Sequence, residues 1–323
     1  MRRPSVLFTS LMILWISSGI WSATAEAQIQ TLPPTTAKAD NGLNSPNETL
    51  LSAARPLDLG VALDDRGFAG QYWTWQGLPE GLLFRSYLAG GREARFASQW
   101  VHERDQGWFW DVTLGGRVGI LRYGTDDLVW PEGWQIDIEG AAFPRLAIED
   151  ERKLVACDFR FGIPLTFRRG PWESKFAYYH LSSHLGDEYM ETHPSFERIN
   201  YSRDTLVWAV ALRPDEALRL YAEVGWAFYA DEGSEPWECQ FGIDYSPMYL
   251  TDGCSGPFFA INSRLREEVD FGGNMTVQTG WQWWGQTGRL LRTGLHYFNG
   301  KSDQYEFVNQ HEEQIGIGIW YDY

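Results

Sequence analysis

Between Tyr178 and Glu188 the chain reads YYHLSSHLGDE, a dense run of side chains that can move protons. His180 and Ser182 stand two residues apart. On an extended chain alternate side chains share a face, which puts these two about 6–7 Å apart at Cα. An imidazole at that spacing can act as base on the hydroxyl and prepare it for acyl transfer. The same two side chains also suit a plain polar face, on which His and Ser bond to neighbouring strands. A metal site would draw on His180, His184, His193, Asp187 and Glu188. On a strand, however, His180 and His184 are about 13 Å apart, too far to share an ion. The His-Glu-x-x-His pattern of a helical zinc site is absent, so no metal is expected.

The elements that carry these residues are strands. Trp108, Trp110, Val112, Leu114, Val118 and Ile120 form an apolar face opposite Asp111, Thr113 and Arg117. Phe159, Phe161, Ile163, Leu165 and Phe167 continue the set begun by Val155 and Cys157, opposite Asp158, Arg160 and Thr166. Leu218, Leu220, Val224, Trp226 and Phe228 oppose Arg219, Tyr221 and Glu223. In the last stretch, Ile315, Ile317, Ile319, Tyr321 and Tyr323 alternate with Gln314, Gly316, Gly318, Trp320 and Asp322. Stripes of this length with aromatics near their ends fit a wall with lipid outside and polar groups inside. The chain is 15% aromatic, as interfacial girdles require.

These patterns predict an all-β fold, a transmembrane antiparallel β-barrel of about twelve strands. The expected strands are 95–104, 107–122, 133–148, 154–167, 172–186, 204–213, 217–230, 237–247, 257–267, 272–285, 289–299 and 312–323. Tight turns at 168–171, 214–216 and 286–288 go to the periplasmic side, and the longer connections 187–203 and 300–311 to the outside. Connections 123–132 and 248–256 are long for inner turns. Interior charges of both signs, Arg117, Glu139, Asp158, Arg160, Arg219, Glu223, Asp244, Arg264 and Arg292, either line a pore or pair across it. With Ala177, Tyr179, Leu181 and Leu185 taken as the lipid-facing set, His180, Ser182 and His184 are expected to face the lumen.

Residues 1–27 read as an export signal: Arg2 and Arg3, an apolar run, and Ala-x-Ala sites at its end. Residues 28–80 form a polar lead-in predicted to be flexible, and 81–323 the barrel with a short periplasmic N-terminal segment. A net charge of −16 without Lys/Arg clusters argues against nucleic acid. Three cysteines, Cys157, Cys239 and Cys254, cannot pair completely. The strand assignment separates Cys239 from Cys254 by a membrane thickness, so free thiols are expected.

The final strand resembles the C-terminal strand of bacterial outer-membrane barrels, which implies outer-membrane lipids as surroundings and recognition of Tyr323 by the barrel assembly machinery. The stretch 81–100, with its LLFRSYLAGGREARF, resembles the opening of an uncharacterised family of exported bacterial barrels. The His-x-Ser pair resembles outer-membrane phospholipase A and the lipid A deacylases, serine hydrolases of acyl chains. That resemblance implies Ser182 as nucleophile, His180 as base and Asn200, before the next strand, as the group orienting His180, with Glu197 as an acidic substitute. Calcium would follow only from that likeness. The phospholipase has Asn-Gly after its serine where this chain has Ser183-His184, a departure at the positions that bear on the family's oxyanion hole and calcium site. The leading expectation is a non-enzymatic outer-membrane barrel, a narrow pore or a structural protein, with the acyl hydrolase as the alternative.

Overall fold

The computed structural model describes residues 71–231, 233–248 and 254–323. The expected export signal and nearly all of the polar lead-in lie outside the described residues. The lead-in's last ten residues hold a short strand, β1 (Thr74–Gly77).

Twelve further strands follow: β2 (Phe96–Glu103), β3 (Gly107–Gly124), β4 (Gly133–Ala147), β5 (Lys153–Arg169), β6 (Trp172–Leu185) and β7 (Ser202–Leu212). Then come β8 (Leu218–Asp231), β9 (Trp237–Tyr245), β10 (Ser255–Arg266), β11 (Gly273–Trp284), β12 (Leu290–Lys301) and β13 (His311–Asp322). Each pairs antiparallel with its chain neighbours, and β13 returns to β2, with Ile317 opposite Trp100. The sheet is thereby closed and has no free edge to expose unpaired backbone to lipid. The fold is a transmembrane antiparallel barrel of twelve strands. β1 adds to β3 at Leu121–Gly124, which the sequence reading missed.

The outer face carries the stripes. Ile315, Ile317 and Ile319 stand outward, with Ile317 58% exposed, and Trp208, Phe228, Trp281 and Leu295 do the same on other strands. A water-soluble protein would bury such side chains. Their alternation with fully buried arginines and carboxylates identifies lipid as the outer solvent. Connections 125–132, 170–171, 213–217 and 285–289 mark one rim, here the near end. The longer 186–201 and 302–310 mark the far end, where α1 (Asp187–Thr192) sits.

The interior is filled rather than open. Residues 80–95, expected as a short periplasmic segment, thread the lumen instead. Leu83, Phe84, Tyr87 and Ala89 are at most 1% exposed there. An irregular segment has no ladder to satisfy its carbonyls, and buried carbonyls need donors. Arginines supply them. Arg122 Nη2 donates to Glu80 O and Gly81 O at 2.8 Å, Arg219 Nη1 to Arg85 O at 3.0 Å, and Arg292 Nη2 to Leu88 O at 3.1 Å. Arg160 Nη1 donates to Arg92 O at 2.7 Å. Side chains of the segment answer: the Tyr87 hydroxyl donates to Glu223 at 2.8 Å, and Arg92 and Arg95 pair with Asp158 and Asp322.

From the far end the 302–310 connection folds inward to meet this plug. Tyr305 is fully buried, and Arg92 stacks on both its ring and that of Phe143. A side chain at Gly91 would collide with Asp303, so the two stoppers touch. The space left around Gly90, Arg95, Asp111 and His296 is about 50 Å³, room for a few waters.

Most of the interior charges pair. Arg117 meets Asp137 at 2.6 Å, Arg160 meets Glu139 at 3.1 Å, Lys175 meets Glu223 at 2.7 Å and Arg264 meets Glu238 at 2.6 Å. Buried charges in a low dielectric are costly without partners, and these pairs tie neighbouring strands together across the interior. Cys157, Cys239 and Cys254 are free thiols.

Candidate functional site

β6 positions the candidate residues, and its faces are the reverse of the sequence expectation. Lys175, Ala177, Tyr179, Leu181, Ser183 and Leu185 point inward and are buried. Phe176, Tyr178, His180, Ser182 and His184 therefore point to the lipid side. The expectation failed because it gave the lumen only polar side chains and the lipid every apolar one. This lumen is a packed core, so Ala177, Tyr179 and Leu181 join a cluster with Tyr201, Val207 and Tyr305. Inward Tyr179 donates to Glu238, and Ser183 to Asp158.

Outside, His180 lies directly opposite Asp204 on β7, and its Nδ1 is 2.9 Å from Asp204 Oδ1. The Tyr178 hydroxyl donates to the same oxygen at 2.7 Å. The shared carboxylate oxygen fixes the ring so that Nδ1 carries the proton toward it and Nε2 is turned away. The His180 side chain is 43% exposed and that of Asp204 24%. Ser182 follows on the same face, opposite Ser202 on β7 and Phe159 on β5. Among the described residues, no hydrogen bond joins Ser182 to His180. Aromatic side chains border the polar group: Phe159 and Phe228 are about half exposed on either side.

Asn200 and Glu197 do not reach His180. Asn200 holds a left-handed backbone (φ 55°) just before β7, a conformation asparagine tolerates better than most residues. Its backbone N–H and that of Ile199 bond to Glu306. Burial pushes the Glu306 carboxyl up, against the pull of those N–H groups and of Arg198. Asn200 is thus a joint between the far-end connections, not a partner of the imidazole. Arg198 Nη2 lies 3.1 Å from His184 Nδ1, and the His193 ring stacks on Tyr189. The three histidines go to separate partners, and no group of three or more metal-ligating side chains gathers among the described residues.

Asp204 is the member that the sequence reading missed. Its signal was present: Ser202, Asp204, Leu206, Trp208 and Val210 share the lipid-facing set of β7, and one carboxylate among them is out of place.

Residues 67–323 match the model of a family described as a protein of unknown function, DUF1207, and the chain belongs to that family. No curated protein matches the sequence. Among solved structures the chain is similar to outer membrane phospholipase A from Escherichia coli, at 10% identity over 71% of this chain and 89% of that one, TM-score 0.48. It is also similar to the outer membrane phospholipase of Salmonella typhi, at 9% identity over 71% and 90%, TM-score 0.48. The KdgM porin shares 8% identity over 70% of this chain and 99% of that one, TM-score 0.41.

Proposed function

We propose that this chain is an outer-membrane barrel that does not conduct, a closed cylinder whose working surfaces are its lipid-facing wall and its far-end connections. The observation that carries this reading is the filled lumen: residues 80–95 and 302–308 meet inside it, beside cavities of about 50 and 30 Å³. The near end is then periplasmic and the far end external, in contact with outer-membrane lipids. Cell fractionation with heat-modifiable gel mobility tests the location, and a chain recovered soluble from the periplasm ends the proposal. In the same reading the assembly machinery engages the last strand through Tyr323. Deleting Tyr321–Tyr323 also takes Asp322 from Arg95 and Arg292. The expected product is misassembled and degraded, whereas normal surface display of the truncated chain contradicts the assignment.

A second reading rests on the outward Asp204–His180 pair. In it the barrel is a lipid acyl hydrolase, with Ser182 as nucleophile, His180 as general base and Asp204 in the orienting place expected of Asn200. Ser182 lies three residues from the far end of β6, about 10 Å along the strand, and in this reading that places it within reach of lipid esters. Its Oγ would attack the ester carbonyl while His180 Nε2 takes the proton and returns it to the leaving alcohol; water then releases the fatty acid. Fatty-acid release from phospholipid by purified protein, abolished in Ser182→Ala, is the expected result. Equal release by the variant, or none by either protein, sinks this reading.

A further inference from the structure

At the near end the lumen's charge balance fails in one place. Most interior arginines discussed so far have a carboxylate, while Arg122 is held by Gln135 and the carbonyls of Glu80 and Gly81. Arg85 and Arg168 have none within ion-pairing distance among the described residues, although Arg168 is only 7% exposed. Both guanidiniums pack on Trp130, at 4.8 Å and 4.3 Å from the ring, and Arg213 packs there as well at 5.0 Å. Arg85 is also stacked on Trp284 at 4.7 Å and donates through Nη2 to Val129 O at 2.6 Å. Its Nη1, and Nε of Arg168, are buried with no hydrogen-bond partner.

The nearby carboxylates are already committed: buried Glu132 accepts from the Gly170 backbone N–H at 2.9 Å and has a further partner. Glu173 is divided between Arg213, at 2.5 Å, and Arg219, at 3.1 Å. Glu173 therefore serves two cations, of which Arg219 also meets Asp244 at 3.6 Å, while Arg85 and Arg168 stand beside them. Cation–π contact with one indole offsets only about 0.5–2 kcal/mol per cation. Like charges held in a protein interior, with N–H donors unfilled, cost more than that. The cluster is nonetheless built with care. Asp127 Oδ1 accepts from the backbone N–H groups of Val129 and Trp130 at 2.8 Å and 2.6 Å, which fixes the indole that the arginines share. This explains why the 125–132 connection is longer than an ordinary inner turn.

We infer that the near-end mouth is an anion site, in which Arg85, Arg168 and Arg213 around Trp130 take a phosphate-type oxyanion. Arginine forks match the geometry of phosphate oxygens. The phosphate comes either from a soluble anion or from the headgroup of a lipid at that rim.

The test uses the full chain, purified in detergent without phosphate. Its thermal midpoint is measured with added inorganic phosphate, with chloride at equal ionic strength, and in nanodiscs of phosphatidylcholine with and without phosphatidylglycerol. Arg168→Gln and Arg85→Gln are measured alongside. Stabilisation by phosphate beyond chloride, weakened about tenfold to a hundredfold in apparent affinity by either variant, supports a soluble anion. Stabilisation by phosphatidylglycerol alone, lost in the variants, supports a lipid headgroup. The variants also give a readout that needs no ligand: each removes an unpaired cation, so their midpoints in phosphate-free buffer rise or hold. Equal effects of phosphate and chloride with none from phosphatidylglycerol overturn the inference, as does wild-type affinity retained in both variants.

Discussion

The lumen and the outer wall of β6 and β7 use the same residue types in opposite ways. Inside, Asp158 receives Arg92, Ser183 and the backbone of Tyr305, and is wholly buried. Outside, Asp204 holds His180 and Tyr178 at the membrane face, with His180 Nε2 turned to its surroundings. The inner carboxylate is held from three sides and serves cohesion. The outer group has hydrogen-bonding capacity to spare where a lipid can use it. A polar cluster is therefore informative by what it leaves unsatisfied, not by its composition.

Three substitutions separate the two regions, and the largest effect is expected inside. Asp158→Ala leaves Arg92 charged, buried and unpaired, for a loss of about 3–5 kcal/mol of stability. Denaturant unfolding in detergent measures it; a loss below 1 kcal/mol would show that water replaces the carboxylate and that the interior is wetter than described. Next comes the lipid face away from the polar cluster. Ile317→Arg on β13 should cost about 2–4 kcal/mol if that position lies near the bilayer midplane. Tolerance in a lipid-based unfolding assay would place the position at an interface. The smallest effect belongs to the outer cluster. Asp204→Asn weakens a partly exposed pair and should shift stability by less than about 1 kcal/mol. A loss as large as that of Asp158→Ala would make the pair a structural clasp and remove the reason to look for chemistry there.

Much of the wall was legible in the sequence. The alternation from Trp108 to Ile120, and again from Ile315 to Tyr321, follows from side chains pointing to opposite faces. It set twelve strands and their ends to within a few residues. The plug was not legible. LLFRSYLAGG has no period, and its place in the lumen depends on donors from Arg122, Arg160, Arg219 and Arg292, far away in the chain. That omission caused the error on β6. With the lumen given only polar side chains, Ala177, Tyr179 and Leu181 were assigned to lipid; once Tyr305 and the 80–95 segment fill the interior, they belong inside. Asn200 was chosen by its place in the chain. Asp204 is the residue the register sets opposite His180, and register is a property of pairing that a single strand does not carry.

In the proposed reading the lumen is closed by its own chain. Single-channel recording in planar bilayers, on the intact protein and on a variant with residues 82–91 replaced by a short Gly-Ser linker, tests it most directly. The intact protein should show no discrete openings, and the variant, shown to be folded by heat-modifiable mobility, should open a pore. Discrete openings from the intact protein would contradict the account.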